Sequence, residues 1–414
     1  MNKTFTLNGS LMTRIFSFFS GIGMIVFSFL TISHFFMANY PETIFEGSFC
    51  DISAFLNCDS SAFSSISQIS GVPLGYFGLI MGSLFALGML FPSPRFDRTN
   101  TFLSLLNLLG VIGLFMYSVF ILNSLCLLCL GYYLFSIIIF FFFWTYGVDR
   151  KMPNIMVRFV RPSIKLLTIF AVVALAGAYG FRLFHEAKKE AQTGNAMQIV
   201  KQYYELPTVE SPSIVSPYWT AKSTEKFEDA AIQIIEYVDF LCPDCLYLTQ
   251  QLDRLKKEFD GKINISFQFF PLDARCNSVV DKNKHPGACD LSYMAAYKPE
   301  KFLQIHDEIF ANFESARSPE WRRGLARKYG VEEAINDPKI KEIIQQIINT
   351  GMEYEKTSDR YAHGIRSTPT MIINNRMIIG TLPYEYLKAI FQALVEEHEG
   401  GSKKFIENWM PLRK

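Results

Sequence analysis

The chain lacks an excess of charge of either sign: 40 Lys and Arg stand against 39 Asp and Glu, a formal net charge of +1. Without a basic surface to neutralise phosphates, nucleic acid is excluded as a partner. Charge is also missing by region. It is sparse before about residue 184 and frequent beyond, so a slightly positive mean hydropathy conceals a very apolar half joined to an ordinary soluble one. Between Ala38 and Gly71 there is no Lys or Arg at all, only Glu42, Glu46, Asp51 and Asp59. Cysteine is scarce too, at eight residues, yet these fall into spaced pairs: Cys50/Cys58, Cys126/Cys129, Cys242/Cys245 and Cys276/Cys289. A dithiol in an apolar segment and another in a polar half suggest electrons passing between thiols and into a lipid bilayer.

Five runs are long and apolar enough to cross a hydrocarbon core, which takes roughly 20 helical residues. They are Ile15–Met37, Val72–Phe91, Phe102–Asn123, Leu127–Tyr146 and Ile164–Phe184. The first is too long for a signal-peptide core, and Phe36-Met37-Ala38 is a poor cleavage site, so it is expected to stay as a span. His34 near its end is expected to be interfacial. Lys3 and Arg14, then Arg95 and Arg98, then Arg150, Lys151, Arg158, Arg161 and Lys165 mark the cytoplasmic side. The Cys50/Cys58 loop and the charged half then lie outside, where disulfides persist. Cys126 is expected at the outer end of the fourth span, with Cys129 one turn deeper on the same helix face. A helix amino terminus there favours a thiolate.

Cys50-x7-Cys58, Ser64, Gly71-Val72-Pro73 and Cys126-Leu-Leu-Cys129 together resemble the vitamin K epoxide reductase family over about residues 10–146. The resemblance implies a membrane all-α four-helix bundle, followed here by one additional transmembrane helix. It also implies a quinone (ubiquinone or menaquinone) bound beside Cys129, with loop residue Ser64 and Tyr133 supporting the site. Cys126 would exchange with Cys58, and Cys50 would meet the external partner.

Residues 147–184 are expected to hold a cytoplasmic loop and the fifth span. From 185 to 224 the chain turns polar, and Pro207, Pro212 and Pro217 among Ser and Glu suggest an extended tether after a short helix. Beyond it, strand patterns at Ile232–Asp239 and Ile263–Phe270 flank an amphipathic Pro243–Asp260. Helices follow at Pro299–Phe313, Pro319–Tyr329, Pro338–His363 and Pro383–Glu397. Thr370–Ile373 and Arg376–Ile379 flank a tight turn at Asn374-Asn375. Residues 399–414 form a tail.

Cys242-Pro-Asp-Cys245 sits where a strand gives way to a helix, which exposes the first sulfur and lowers its pKa. Ser367-Thr368-Pro369-Thr370 opens a later strand, and a cis Pro369 there lets a substrate strand approach the disulfide. Glu236, six residues before Cys242, is placed to accept the proton of Cys245. These features resemble the thioredoxin superfamily over about 225–398. The helices between Phe270 and Thr368 resemble the insertion of its DsbA-like oxidase branch. Asp244 stands where oxidising members often carry His, and a carboxylate there opposes thiolate formation. Cys276 and Cys289 suit a structural disulfide around a loop with Asp281 and His285, worth about 2–3 kcal/mol in the chain-entropy model. A zinc site at His285 lacks a fourth ligand, so no metal is expected.

The expected fold is therefore the membrane bundle with its extra helix, fused to an α/β thioredoxin-like domain with a helical insertion. The expected activity is a thiol-disulfide oxidoreductase with quinone as electron acceptor, integral to the inner membrane. It would take electrons from secreted or periplasmic cysteine-containing proteins. Reduction of vitamin K-type quinones or epoxides, disulfide isomerisation, and a redox sensor or assembly factor without turnover are the competing readings.

Overall fold

The structure is a computed structural model. It describes residues 7–40, 44, 58–64, 66–91, 93–122, 124–146, 162–209, 218–280, 283–356 and 364–400. These fall into two compact units, one drawn from within 1–39 and 56–190, the other from within 40–55 and 191–414.

The first unit is helical. α1 (Leu7–Asn39) leads to a short α2 (Asp59–Ala62), and β1 (Gln68–Ile69) pairs antiparallel with β2 (Val72–Pro73). α3 (Leu74–Leu90) follows Pro73 directly, so the helix starts two residues later than the apolar run. α4 (Pro94–Phe120) starts eight residues earlier than its apolar run. Ser93 caps it, its hydroxyl accepting from the Phe96 N–H at 3.2 Å, with Pro94 in the first turn. α5 (Leu127–Tyr146) is bounded as its apolar run predicts. Among the described residues four helices are long and apolar enough to span a membrane, and α3, at 17 residues, is a shorter apolar one.

Lipid provides no hydrophobic drive between helices, so close packing of small residues must hold them together. α1 and α3 meet in this way. A Cβ added at Gly82 would lie 2.9 Å from the Gly21 carbonyl oxygen and 3.0 Å from the Met24 Cβ. α5 meets α1 through Gly23, where a Cβ would lie 2.6 Å from the Phe135 ring, and through Gly131, which faces Phe27. Met24, Phe85, Ile139 and Phe143 fill the space between the three helices. Asn100 of α4 donates to the Leu84 carbonyl at 3.3 Å, tying α4 to α3.

In α6 (Ile164–Glu205) the fifth span and the short polar helix expected over Ala187–Tyr204 form one continuous helix. Ala196, Ile199, Val200 and Tyr203, spaced i, i+3, i+4, i+7, give its last turns an apolar face that packs into the second unit's core. The Tyr203 hydroxyl donates to the Ile373 carbonyl at 2.8 Å. Of the three tether prolines, Pro212 and Pro217 lie outside the described residues.

The second unit is built on a five-stranded sheet of order β3-β5-β4-β6-β7. Its elements are β3 (Thr220–Ala221), β4 (Ile232–Val238), α7 (Pro243–Glu258) and β5 (Ile263–Phe269), then α8 (Ala288–Tyr297), α9 (Phe302–Ala311), α10 (Phe313–Ala316), α11 (Pro319–Tyr329) and α12 (Pro338–Glu353), and finally β6 (Thr370–Ile373), β7 (Arg376–Ile379) and α13 (Tyr384–His398). β4 and β5 run parallel, with Ile232 opposite Ile263, while β6 runs antiparallel to β4 and β7 to β6. Asn374 and Asn375 both take positive φ, 41° and 65°, as a two-residue hairpin turn demands. Capping marks the inserted helices: Ser318 opens α11, and Asp337 accepts from the Lys339 N–H at 2.8 Å to open α12. Pro299–Phe313 divides into a 3-10 turn, α9 and the start of α10. α8 and β3 have no counterpart in the sequence reading. Residues 357–363, expected to extend α12, and the 399–414 tail beyond Gly400 lie outside the described residues.

The core of this unit reaches far up the chain. Ile44 is 2% exposed within it, and its N–H donates to the Gln202 Oε1 at 3.2 Å.

Candidate functional site

Two dithiols stand in the described residues, one in each unit, and all four sulfurs are free thiols. In the second unit β4 ends at Val238 and the chain turns into α7. Cys242 is the N-cap residue of α7 and Pro243 follows at its first position, where a missing N–H costs nothing. Cys242 Sγ donates to the Thr368 carbonyl at 3.2 Å, and Thr368-Pro369 is a cis peptide. The first sulfur of the pair and the loop before β6, 126 residues apart in sequence, are thereby brought together. Cys245 lies one turn inside α7, fully buried, its sulfur accepting from the Asp239 N–H at 3.4 Å. Burial first, and then the hydrogen bond with Cys242, push the Cys245 thiol well above its ordinary range. The sulfur that must give up a proton is thus the one least disposed to.

Glu236 lies on β4, 1% exposed, and burial lifts its carboxyl to about 8. Its Oε1 has no hydrogen-bond partner among the described residues. A buried carboxyl held near neutrality suits proton transfer. Asp239 and Arg317 are additions that sequence reasoning missed, and His285, weighed there only as a zinc ligand, meets Asp239 instead. Asp239 Oδ2 lies 2.7 Å from His285 Nδ1. Arg317, at the end of α10, interacts electrostatically with both Asp239 and Cys242. Cys276 and Cys289 form a disulfide. Asp281 lies outside the described residues.

In the first unit Cys126 immediately precedes α5. Its sulfur lies 3.3 Å from that of Cys58, which is itself disulfide-bonded. That separation is close to van der Waals contact for two sulfurs, the starting point for exchange. The Cys129 N–H donates to Cys126 Sγ at 3.4 Å, and the Ser61 Oγ lies 3.9 Å from Cys129 Sγ. Cys50 lies outside the described residues.

Cys129 opens into a cavity of about 280 Å³. Ser64 and Tyr133 both line it, and Ser64 donates to the Ser61 carbonyl at 2.9 Å. Three further lining residues were missed: Ser61, Tyr132 and Asn107, the last accepting from the Tyr132 hydroxyl at 2.6 Å. His34 is 5% exposed and also lines the cavity wall, because α1 turns that face toward the cavity. The walls are otherwise largely apolar, among them Phe77, Met81 and Leu114. A planar, apolar ring with hydrogen-bonding oxygens fits such a lining.

Residues 14–144 match the model of the vitamin K epoxide reductase family, and residues 227–393 match a thioredoxin model. The chain joins a vitamin K epoxide reductase family domain to a thioredoxin domain. Among curated proteins, the "Probable disulfide bond formation protein D" of Bacillus cereus is 33% identical over 109 residues, covering 25% of this chain and 45% of that protein. The "Na(+)/H(+) antiporter NhaA 1" of Mycolicibacterium gilvum is 23% identical over 153 residues, covering 36% and 22%. The chain thus spans less than half the length of either. Among solved structures, the thiol-disulfide exchange protein alpha-DsbA2 of Wolbachia pipientis is 19% identical with a TM-score of 0.33, covering 49% of this chain and 98% of that one. DsbA2 of Pseudomonas aeruginosa is 18% identical with a TM-score of 0.29, covering 44% and 96%. Both Cys-x-x-Cys dithiols lie within the matched segments, and among the described residues four helices are long and apolar enough to cross a membrane.

Proposed function

We propose that this chain forms disulfides in secreted or periplasmic proteins and passes the electrons to a membrane quinone, ubiquinone or menaquinone. A client thiolate attacks the Cys242–Cys245 disulfide, and a second client thiol resolves it, leaving the client oxidised and the pair reduced. Glu236 takes the proton of Cys245 when that sulfur next reacts. Cys242 then attacks the Cys50–Cys58 disulfide at Cys50, and Cys245 closes back onto Cys242. Freed Cys58 attacks the Cys126–Cys129 disulfide at Cys126, and Cys50 recloses the loop disulfide. Cys126 and Cys129, now thiols, give two electrons and two protons to the quinone and return to the disulfide. Tyr133 and Ser64 orient the quinone oxygens beside Cys129.

The observation that carries this reading is the 3.3 Å approach of Cys126 to the disulfide-bonded Cys58, at the mouth of an apolar cavity reached by Cys129. The Lys and Arg distribution supports an inner-membrane protein with the thioredoxin domain on the outer side. Purified full-length protein, given a reduced client and a short-chain ubiquinone or menaquinone, should reduce quinone in steady turnover. A single stoichiometric change would make it a sensor. Reduction of the client's disulfides at the expense of hydroquinone would reverse the direction.

A further inference from the structure

The thioredoxin unit buries a second ionisable pair against its dithiol. Asp239, three residues before Cys242, is 0% exposed. Its Oδ1 accepts from the Leu241 N–H at 2.7 Å, and its Oδ2 accepts from the Leu272 N–H at 2.6 Å and faces His285 Nδ1 at 2.7 Å. The same residue's N–H is the one that donates to Cys245 Sγ. His285 is 4% exposed and comes from the loop between Cys276 and Cys289. Asp273 pins that loop from within: its carboxylate accepts from Arg275, from the Gly287 N–H at 2.8 Å and from the Cys289 N–H at 3.4 Å. The loop that carries His285 is therefore pinned at its Cys289 end, and His285 in turn reaches Cys245 through Asp239.

We propose that the Cys276–Cys289 disulfide sets the oxidising strength of Cys242–Cys245, by holding His285 against Asp239. A carboxylate beside Cys245 opposes a thiolate there, and the Asp239 charge does push the Cys245 thiol up. An imidazole Nδ1–H donated to that carboxylate draws charge away from the sulfurs, whether the ring is neutral or cationic. Stabilising the thiolate favours the reduced pair, which makes the disulfide a stronger oxidant. Arg317 interacts with Asp239 and Cys242 from the inserted helices and acts in the same sense. His285 is accordingly a positioning residue: it works through Asp239 and does not touch substrate. The Cys276–Cys289 disulfide is then more than a clamp on a loop, because opening it releases the group that tempers Asp239.

The test equilibrates the full-length chain, without quinone, in glutathione buffers of stepped ratio. Alkylation and peptide mass spectrometry then read the redox state of the Cys242/Cys245 peptide alone. His285→Ala should lower the equilibrium constant for reduction of that pair about tenfold, a fall of about 30 mV in potential. Asp239→Asn should raise it. In the Asp239→Asn background His285→Ala should have no further effect, a sign pattern that loosened packing does not produce. Cys276→Ser/Cys289→Ser should reproduce the His285→Ala value, and Cys276→Ala/Cys289→Ala replaces it where the serine pair fails to fold. An unchanged constant in His285→Ala, or a full-sized effect surviving Asp239→Asn, overturns the link through Asp239. A wild-type constant in the folded cysteine-pair variant overturns the role of the disulfide.

Discussion

Replacing Glu236 by Gln should make the thioredoxin unit more stable and slower at once. The buried carboxyl ionises near 8 in the folded chain against 4.5 for an ordinary glutamate. Ionising it in the fold therefore costs roughly 5 kcal/mol more than in the unfolded chain, an upper figure. Because the folded pKa is the raised one, the stability linked to the proton is complete below pH 4.5. It drains away as pH rises toward 8 and is gone above. At pH 7 about 3 kcal/mol has been lost, and Gln, which keeps the shape without the charge, recovers it. Pulse proteolysis of the full-length protein in urea, from pH 4.5 to 9, should show wild type and Glu236→Gln converging at the acid end and separating to a plateau above pH 8. The same substitution removes the group that we propose accepts the proton of Cys245. At pH 7 about one Glu236 in ten is ionised, so wild-type exchange should rise close to tenfold per pH unit below 8 and then level. Glu236→Gln should lose that slope and run roughly 10²-fold slower at pH 8. Stability curves that stay parallel across the range, or an unaltered rate profile, would refute both the ionisation and the role.

Other perturbations separate the remaining steps. Cys245→Ala leaves Cys242 without a resolving thiol, so client proteins should accumulate as mixed disulfides on Cys242, recoverable on non-reducing gels. Cys129→Ala should abolish quinone reduction while oxidative trapping yields a Cys58–Cys126 bridge by peptide mass spectrometry, since those sulfurs already lie 3.3 Å apart. Gly82→Leu should drive α1 from α3, because even a Cβ would lie 2.9 Å from the Gly21 carbonyl oxygen. A thermal midpoint lower by several degrees in detergent would be the readout.

What the sequence disclosed depended on how locally each feature is encoded. Cys242-Pro243 announces its own position, because a proline at the first turn and a cysteine before it specify a strand-to-helix junction with two adjacent residues. Asn374-Asn375 and Ser318-Pro319 are legible for the same reason. A helix ending near Tyr204 was legible too, but its burial was not, since its apolar face is one stripe among charged residues that gains meaning only against β6 and its turn. α8 begins at Gly287 with φ of 105° and no side-chain cap, so nothing near residue 288 signals a start. The site divides likewise. Each Cys-x-x-Cys was visible, whereas Asp239 and His285 are 46 residues apart and meet only in the fold. His34 looked like any residue near the end of a span, because which face of α1 turns inward is decided by glycines on two other helices.

The place of Ile44 bears on how the molecule is made. It belongs to the core of the thioredoxin unit, yet 158 residues separate it from Gln202, whose side chain it meets. A ribosome adding 5–20 residues each second leaves Ile44 waiting on the order of 10–30 s before that partner exists. Throughout that interval an apolar side chain remains uncovered, and closing the core around it later recovers roughly 1.5–3 kcal/mol. A fragment begun after the last span would never recover it. The thioredoxin unit is discontinuous in the gene, and its final folding step belongs to the whole chain.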